Sequence, residues 1–448
     1  MNVLLVSWTF PPGGGGGAFR PAMFVKYALR AGCGVHVLTT EIGRGAGDGH
    51  TDDSLLEDVR GATVTRTGRI PLSLPALPLR RKGAEDAEEE DADDGERAPG
   101  VLRRAARGIR GALAFPDPEI GWLPFALRRG MEIIRRGGID VIYATSPPPT
   151  ALLAGSLLAR WTGVPLVAEL RDPWSPFPEW RAGRPCDPAS ARCRREARLE
   201  RSVLARARTV VVVNDAVASL YRSAFPELDP ERIAVVQNGY DAAGFPADDA
   251  PAPDPCFSIL FAGSYYGYHG PGPFLRALDL ALEREPALGR HLRLQLAGSR
   301  DRAVRRELRR FREAGLVTEL GYLPHREATE RIRRSALLLL TLPDLELSRC
   351  WVPAKSYEYL ASGRPILAVV PDGVLRGMLS GHPGVQVVGP GDPSAVADAL
   401  LREFRAWCAG ARGPVQRDLS GVPTRERMAS ALLDVLRDAS ARPSTHGK

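Results

Sequence analysis

The sequence predicts an α/β protein of two doubly wound domains facing each other across a cleft. Three observations predict it. Short apolar runs alternate with amphipathic stretches along the chain, a proline-rich connector splits that alternation in two, and 448 residues at 44% hydrophobic content supply two cores rather than one. Ligands of such folds bind where loops leave the carboxyl ends of the strands, so the cleft between the sheets is the place to look for function.

The first domain covers residues 1–246. An apolar run at 3–6 reads as a strand; Pro11, Pro12 and five glycines from Gly13 to Gly17 form a loop, and a helical pattern follows from 18 to 31. Gly32 and Gly34 end that helix and residues 35–38 supply the next strand, completing a βαβ unit of Rossmann-like type. The pattern repeats with a strand at 140–143, a helix at 150–161 and a strand at 165–168, then strands at 209–213 and 233–236. Residues 80–99 carry nine acids and no apolar side chain larger than alanine, so they are expected to form a mobile acidic surface loop. The segment 101–113 after it spaces Leu102, Ile109 and Leu113 on one helical face. That face either packs on the core with its arginines solvated or lies on an anionic membrane surface.

Residues 247–255, with Pro251, Pro253 and Pro255, are expected to be the interdomain linker. Residues 256–420 then read as the second Rossmann-like domain, with strands at 257–262, 292–297, 337–342, 365–370 and 385–388 between arginine-rich helices. Residues 421–448 are expected to hold a helix, patterned over 425–436, that crosses back to the first domain, and then a tail.

Composition bounds the function. Lys and Arg number 60 against 53 Asp and Glu, a formal net charge of +7, and the acidic loop moves the balance of the rest further up. Such a field favours anionic ligands, whether nucleotides, phospholipid headgroups or nucleic acid. No apolar run approaches the ~20 residues of a membrane-spanning helix, and the first residues lack the basic and apolar regions of a secretory leader. Six scattered cysteines without a C-x-x-C pair read as reduced thiols in a cytoplasmic protein. The seven histidines are dispersed and the only D-x-D, at 91–93, arises from the composition of the acidic loop, so no metal site is expected.

Three segments carry candidate chemistry. Gly14, Gly15 and Gly16 could bring backbone amides close to an anionic or hydroxylated ligand at a helix start, with Arg20 one turn on, or serve only as a flexible turn. Arg171, Asp172 and Trp174 follow a buried strand at its carboxyl end; a charge-assisted hydrogen bond and a flat indole suit a sugar acceptor, although the pair could merely cap the loop. The densest cluster runs through Val352, Pro353, Ala354, Lys355 and Glu358 into a helix ended by Gly363. Free amides and an ammonium suit a diphosphate and the carboxylate suits a ribose diol; the plain alternative is an exposed Lys355–Glu358 pair worth ~0.3 kcal/mol. His269 or His325 could touch the donor, or be an ordinary loop histidine, which is the plainer reading.

The order P-P-G-G-G-x-x-x-x-R at 11–20, E-L-R-D-P-W at 169–174, Q-N-G-Y-D at 237–241, F-A-G-S at 261–264, G-Y-L-P-H at 321–325 and P-A-K-S-Y-E-Y-L-A-S-G-R-P at 353–365 resembles the family-four-type glycosyltransferases of the GT-B fold. Phe115, Pro116, Asp117 and Trp122 resemble the segment before the acceptor site in that group. The resemblance implies a retaining, metal-independent enzyme that moves a sugar from a nucleoside-diphosphate sugar, its donor substrate, to a sugar, lipid-linked or small-metabolite acceptor. It implies no permanently bound cofactor and no nucleic-acid partner. Its setting would be polysaccharide or specialised-metabolite biosynthesis at a cytoplasmic address, either free or in peripheral contact with the inner membrane surface. By the same resemblance Glu358 binds ribose, Lys355 neutralises the leaving diphosphate, Gly263 and Ser264 border the donor, and Gly14 to Gly16 with Arg20 face the reacting centre. Two departures bear on the donor: Cys350 stands where the first glutamate of E-x7-E would fall, and Tyr265 to Gly270 replace the basic residues many relatives carry there. They leave a second reading, a noncatalytic GT-B partner subunit or nucleotide-sugar sensor.

Overall fold

Alternate residues of the first strand part to opposite faces of a sheet: Leu4 and Val6 join one apolar cluster, Val3 and Leu5 another. The computed structural model describes residues 1–41, 50–71, 114–175, 190–246, 251–265 and 269–441. In chain order the first domain runs β1 (Asn2–Ser7), α1 (Gly16–Arg30), β2 (Gly34–Thr40), β3 (Thr63–Thr67), α2 (Leu123–Arg135), β4 (Val141–Ser146), α3 (Pro149–Thr162), β5 (Leu166–Leu170), α4 (Ala191–Arg206), β6 (Thr209–Val212), α5 (Asp215–Ala224) and β7 (Ile233–Val235). Its seven strands are all parallel in the order β3-β2-β1-β4-β5-β6-β7, so the chain reverses its direction of growth between β1 and β4.

The second domain runs β8 (Phe257–Ala262), α6 (Gly272–Arg284), α7 (Ala287–His291), β9 (Leu292–Ala297), α8 (Arg302–Glu313), β10 (Val317–Gly321), α9 (His325–Arg334), β11 (Leu337–Thr341), α10 (Lys355–Ala361), β12 (Ile366–Val369), α11 (Val374–Leu379), β13 (Val385–Val388) and α12 (Pro393–Cys408). Its six parallel strands take the order β10-β9-β8-β11-β12-β13, with the reversal between β8 and β11. The chain therefore forms two Rossmann-like domains. The final helix, α13 (Arg425–Ala441), lies beside α1, where Met428, Leu432, Leu433 and Leu436 complete the cluster that holds Val3, Leu5 and Phe24.

Side-chain oxygens start several helices: Asn214 accepts from the Val217 amide at α5, Asp301 from Val304 at α8, and Asp392 from Ala395 at α12. Gly163, at φ 76°, ends α3 in the left-handed conformation that glycine adopts without penalty.

Several expectations change. Strands β3 and β10 join the expected ones: they lack an apolar run, since at these two sheet edges polar residues stand largely half-exposed or exposed. Helix α1 begins at Gly16, two residues earlier than its pattern, drawing two loop glycines into its first turn. The thiols are not all reduced: Cys193 is disulfide-bonded, while Cys33, Cys256, Cys350 and Cys408 are free. The acidic loop over 80–99, the helix over 101–113, part of the 247–255 connector and the end of the tail lie outside the described residues. Among the described residues no helix is long and apolar enough to cross a membrane.

Candidate active site in the interdomain cleft

The two reversal points face each other. Between them lies a cleft of about 550 Å³, walled on one side by loops leaving β1, β4, β5 and β6 (Gly15, Pro147, Asp172, Val213) and on the other by loops leaving β8, β9 and β11 (Gly263, Gly298, Leu342).

Lys355 is the first residue of α10. Its Nζ lies 3.6 Å from the Phe261 ring centroid and has no ion-pair partner among the described residues. Burial, with a smaller push from the Arg300 guanidinium, lowers its pKa to about 7. Gly263 allows this close approach: a Cβ there would sit 2.7 Å from Lys355 Nζ, and its φ of +155° strains any side chain. Ser264 borders the same wall, its Oγ accepting from the Ser299 amide at 3.1 Å. Phe261 stacks on Tyr265 at 3.8 Å, and the Tyr265 hydroxyl lies 3.0 Å from Thr341 Oγ1. His269 lines the cleft beside them, and burial together with Lys355 lowers its pKa to about 4.

Glu358, one turn beyond Lys355, is only 8% exposed, so the exposed Lys355–Glu358 pair is not what forms. The His325 imidazole donates from Nε2 to Glu358 Oε1 at 3.0 Å. Val352, Pro353 and Ala354 line the cleft in the approach to α10. Cys350 packs against the first domain's core, and its carbonyl accepts from Asn214 Nδ2 at 2.8 Å, fastening this segment to the opposite domain.

On the other wall the glycines divide. Gly15 and Gly16 line the cleft; Gly14 does not, because Tyr322 from the second domain covers it and its hydroxyl would clash with a Cβ there. The Gly15 amide donates to that hydroxyl at 3.1 Å, and Tyr322 stacks on His50 at 4.5 Å. Arg20 borders the cleft, but its charge is already used. It is 3% exposed, pairs with Glu169 Oε1 at 2.7 Å and donates to the Val236 and Gln237 carbonyls. Burial would raise the Glu169 pKa, yet Arg20 and the Tyr143 and Thr145 hydroxyls hold it below the usual carboxylate range.

Arg171 likewise acts as a brace, donating to the carbonyls of Ser146, Gly17 and Pro147. Asp172 accepts no hydrogen bond among the described residues. Burial raises its pKa while Arg171 pulls it back, so an acid group with open acceptor capacity lines the first domain's wall. Trp174 is corrected: it is 6% exposed within the core, its amide donates to Tyr221, and it does not line the cleft. Asp117 and Trp122 also serve the scaffold, Asp117 accepting from the Thr150 amide and Trp122 donating to Thr67 Oγ1 at 2.7 Å. Among the described residues no group of three or more His, Cys, Asp or Glu side chains gathers that could hold a metal ion.

Sequence reasoning missed Tyr322, His50, Arg300 and Arg425. Arg425 donates to Asn238 Oδ1 and sits 4.8 Å from the Phe19 centroid. The Arg300 guanidinium, bonded to the Gly263 and Ala297 carbonyls, stands where the segment after β8 lacks basic residues. Its signal was position, a basic residue just beyond β9.

Two Rossmann-like domains facing each other across a cleft at their reversal points are the GT-B arrangement. Residues 81–243 match Glycosyltransferase Family 4 and residues 256–405 match Glycosyl transferases group 1; the chain belongs to the family-four-type glycosyltransferases. Solved structures are similar along the whole length. A glycosyltransferase from Rickettsia africae is 14% identical with a TM-score of 0.58, over 98% of this chain and 99% of its own. HepE of Anabaena in complex with UDP-glucose is 16% identical with a TM-score of 0.56, over 98% of each chain. Sucrose-phosphate synthase of Thermosynechococcus elongatus is 15% identical with a TM-score of 0.55, over 98% of this chain and 96% of its own. No curated protein sequence matches the chain.

Proposed function

We propose that the cleft binds a nucleoside-diphosphate sugar and transfers the sugar, with retention of configuration and without a metal ion, to an acceptor hydroxyl or other nucleophile. The observation that carries this reading is Lys355, a desolvated ammonium with no carboxylate partner among the described residues, held against Gly263 at the point where the strands of the second sheet reverse. Charge grows on the diphosphate as the glycosidic bond breaks, and a fixed cation in a water-poor site stabilises that charge more than bulk water does. Glu358 receives the ribose diol, Gly263 and Ser264 border the phosphates, and Val352 to Ala354 flank the donor. Asp172 accepts a proton-bearing group of the acceptor, while Arg171 and Arg20 hold Gly17, Pro147 and the β7 exit in place around it. That HepE was solved with UDP-glucose supports the donor class.

The pathway we favour is polysaccharide or specialised-metabolite biosynthesis in the cytoplasm. The noncatalytic alternative draws on Cys350, whose backbone is tied to Asn214 and which offers the cleft no carboxylate. A calorimetric screen of UDP, GDP, TDP and CMP and their sugars, without added metal, separates the two when paired with acceptor trials. Transfer of a sugar whose anomeric proton keeps the donor's configuration supports the enzyme; tight donor binding with no transfer to any of a broad acceptor set supports the sensor.

A further inference from the structure

Glu358 does not stand alone. One of its oxygens, Oε1, accepts from His325; Oε2 takes no hydrogen bond among the described residues. His325 opens α9 of the second domain, yet two groups of the first domain fix it. Its imidazole stacks on Phe19 with centroids 3.9 Å apart and planes inclined by 26°, and its amide donates to Asp52 Oδ2 at 2.8 Å. The same Phe19 ring carries the Arg425 guanidinium, whose charge Glu358 also feels. All of Phe19, Asp52, His325, Glu358 and Arg425 line the cleft.

We propose that His325 is a positioning residue that couples closure of the two domains to the donor site. Stacked on Phe19 and bonded to Glu358, it holds the carboxylate so that Oε2 is ready for a vicinal diol. A carboxylate on the first turns of a seven-residue helix has several rotamers available, and one charge-assisted hydrogen bond selects among them before the ligand arrives. Phe19 and Asp52 are both contributed by the domain opposite Glu358. Separating the domains removes the stack and the amide bond together, and the imidazole then loses the support that aims it. Nucleotide affinity and domain closure are linked for that reason: a ligand that draws on Glu358 favours the closed pair. This rests on the reading that Glu358 receives the ribose.

The test uses full-length protein and calorimetry with UDP, GDP and ribothymidine diphosphate, each beside its 2′,3′-dideoxy counterpart. Glu358→Gln tests the underlying reading, His325→Phe keeps an aromatic ring on Phe19 without the hydrogen bond, His325→Gln restores an N–H donor, and Phe19→Leu removes the stack. Far-UV circular dichroism establishes that each variant is folded. For whichever ribonucleotide binds, His325→Phe is expected to weaken affinity about 10-fold while the dideoxy analogue changes less than about 2-fold, the size of one hydrogen bond to a charged group. His325→Gln recovers most of the loss, and Phe19→Leu gives the same diol-selective pattern at about 3-fold. Equal losses for both ligand forms in His325→Phe, or no loss, overturn the positioning role even if Glu358→Gln shows the diol-selective defect. An unchanged Phe19→Leu overturns the coupling to closure. If Glu358→Gln itself does not discriminate the two ligand forms, the ribose reading fails, and the role of His325 fails with it.

Discussion

The free Lys355 ammonium titrates near neutrality, which makes nucleotide affinity depend on pH in a defined direction. With a pKa of about 7, half of the unliganded protein carries the charge at pH 7 and about 1% does at pH 9. A bound diphosphate restores the lysine toward its ordinary value, so only the protonated fraction is competent and apparent affinity falls about 50-fold between pH 7 and pH 9. The ligand's own last phosphate proton is mostly lost by then, its pKa lying near 6. Isothermal titration of the preferred nucleoside diphosphate in buffers of different ionisation enthalpy measures both quantities. It should show close to one proton taken up per site at pH 8.5 and no net uptake at pH 6, where the lysine is already charged and the half-protonated terminal phosphate gives up its proton, with Lys355→Met giving weak binding that does not vary between pH 7.5 and pH 9. Equal wild-type affinity at pH 7 and pH 9, with nucleotide bound and no proton uptake, would refute the reasoning.

The same depressed lysine costs stability in its charged form. The native state is therefore destabilised below about pH 7 and gains as pH rises toward the usual lysine pKa, and Lys355→Met should raise the melting temperature at pH 6.5 but not at pH 10. Gly263→Ala places a methyl 2.7 Å from Lys355 Nζ at φ +155°; nucleotide affinity should drop at least about 10-fold while the far-UV spectrum is unchanged. Arg20→Ala strands Glu169 in the core and should cost about 3–5 kcal/mol in denaturant unfolding, against little for exposed Arg326→Ala. His269, with a pKa near 4, should stay neutral throughout pH 5.5–8, visible as a histidine ring resonance that does not shift over that range.

Much of the fold was legible because buried parallel strands write continuous apolar runs. The run at 337–342 and strand β11 differ by a single residue. Two of the four edge strands write no such run: Thr63–Thr67 and Val317–Gly321 pair on one side only and keep polar residues, whereas the edges Ile233–Val235 and Val385–Val388 stay apolar enough to be read. Lys355, Glu358 and Gly263 could be picked out because a lysine is rare in this arginine-rich chain and because both segments follow strand ends. What they touch could not. His325 lies 33 residues from Glu358, and Phe19 and Asp52 come from the opposite domain; only the closed packing of two sheets brings them together. Trp174 shows the opposite error: an indole beside a charged loop suggested a sugar platform, while it belongs to the first domain's apolar cluster and its amide donates to the Tyr221 hydroxyl. Arg20 and Arg171 are similar cases, since a sequence shows a charge but not the carboxylate or carbonyls that consume it.

The most direct measurement for the donor cleft is a crystal structure with the nucleotide sugar that the calorimetric screen selects. The expected complex places a phosphate oxygen within about 3 Å of Lys355 Nζ, now lifted from the Phe261 ring, and the ribose hydroxyls on Glu358. A nucleotide bound elsewhere, or one in the cleft that leaves Lys355 on Phe261 and Glu358 free of the ribose, would contradict it.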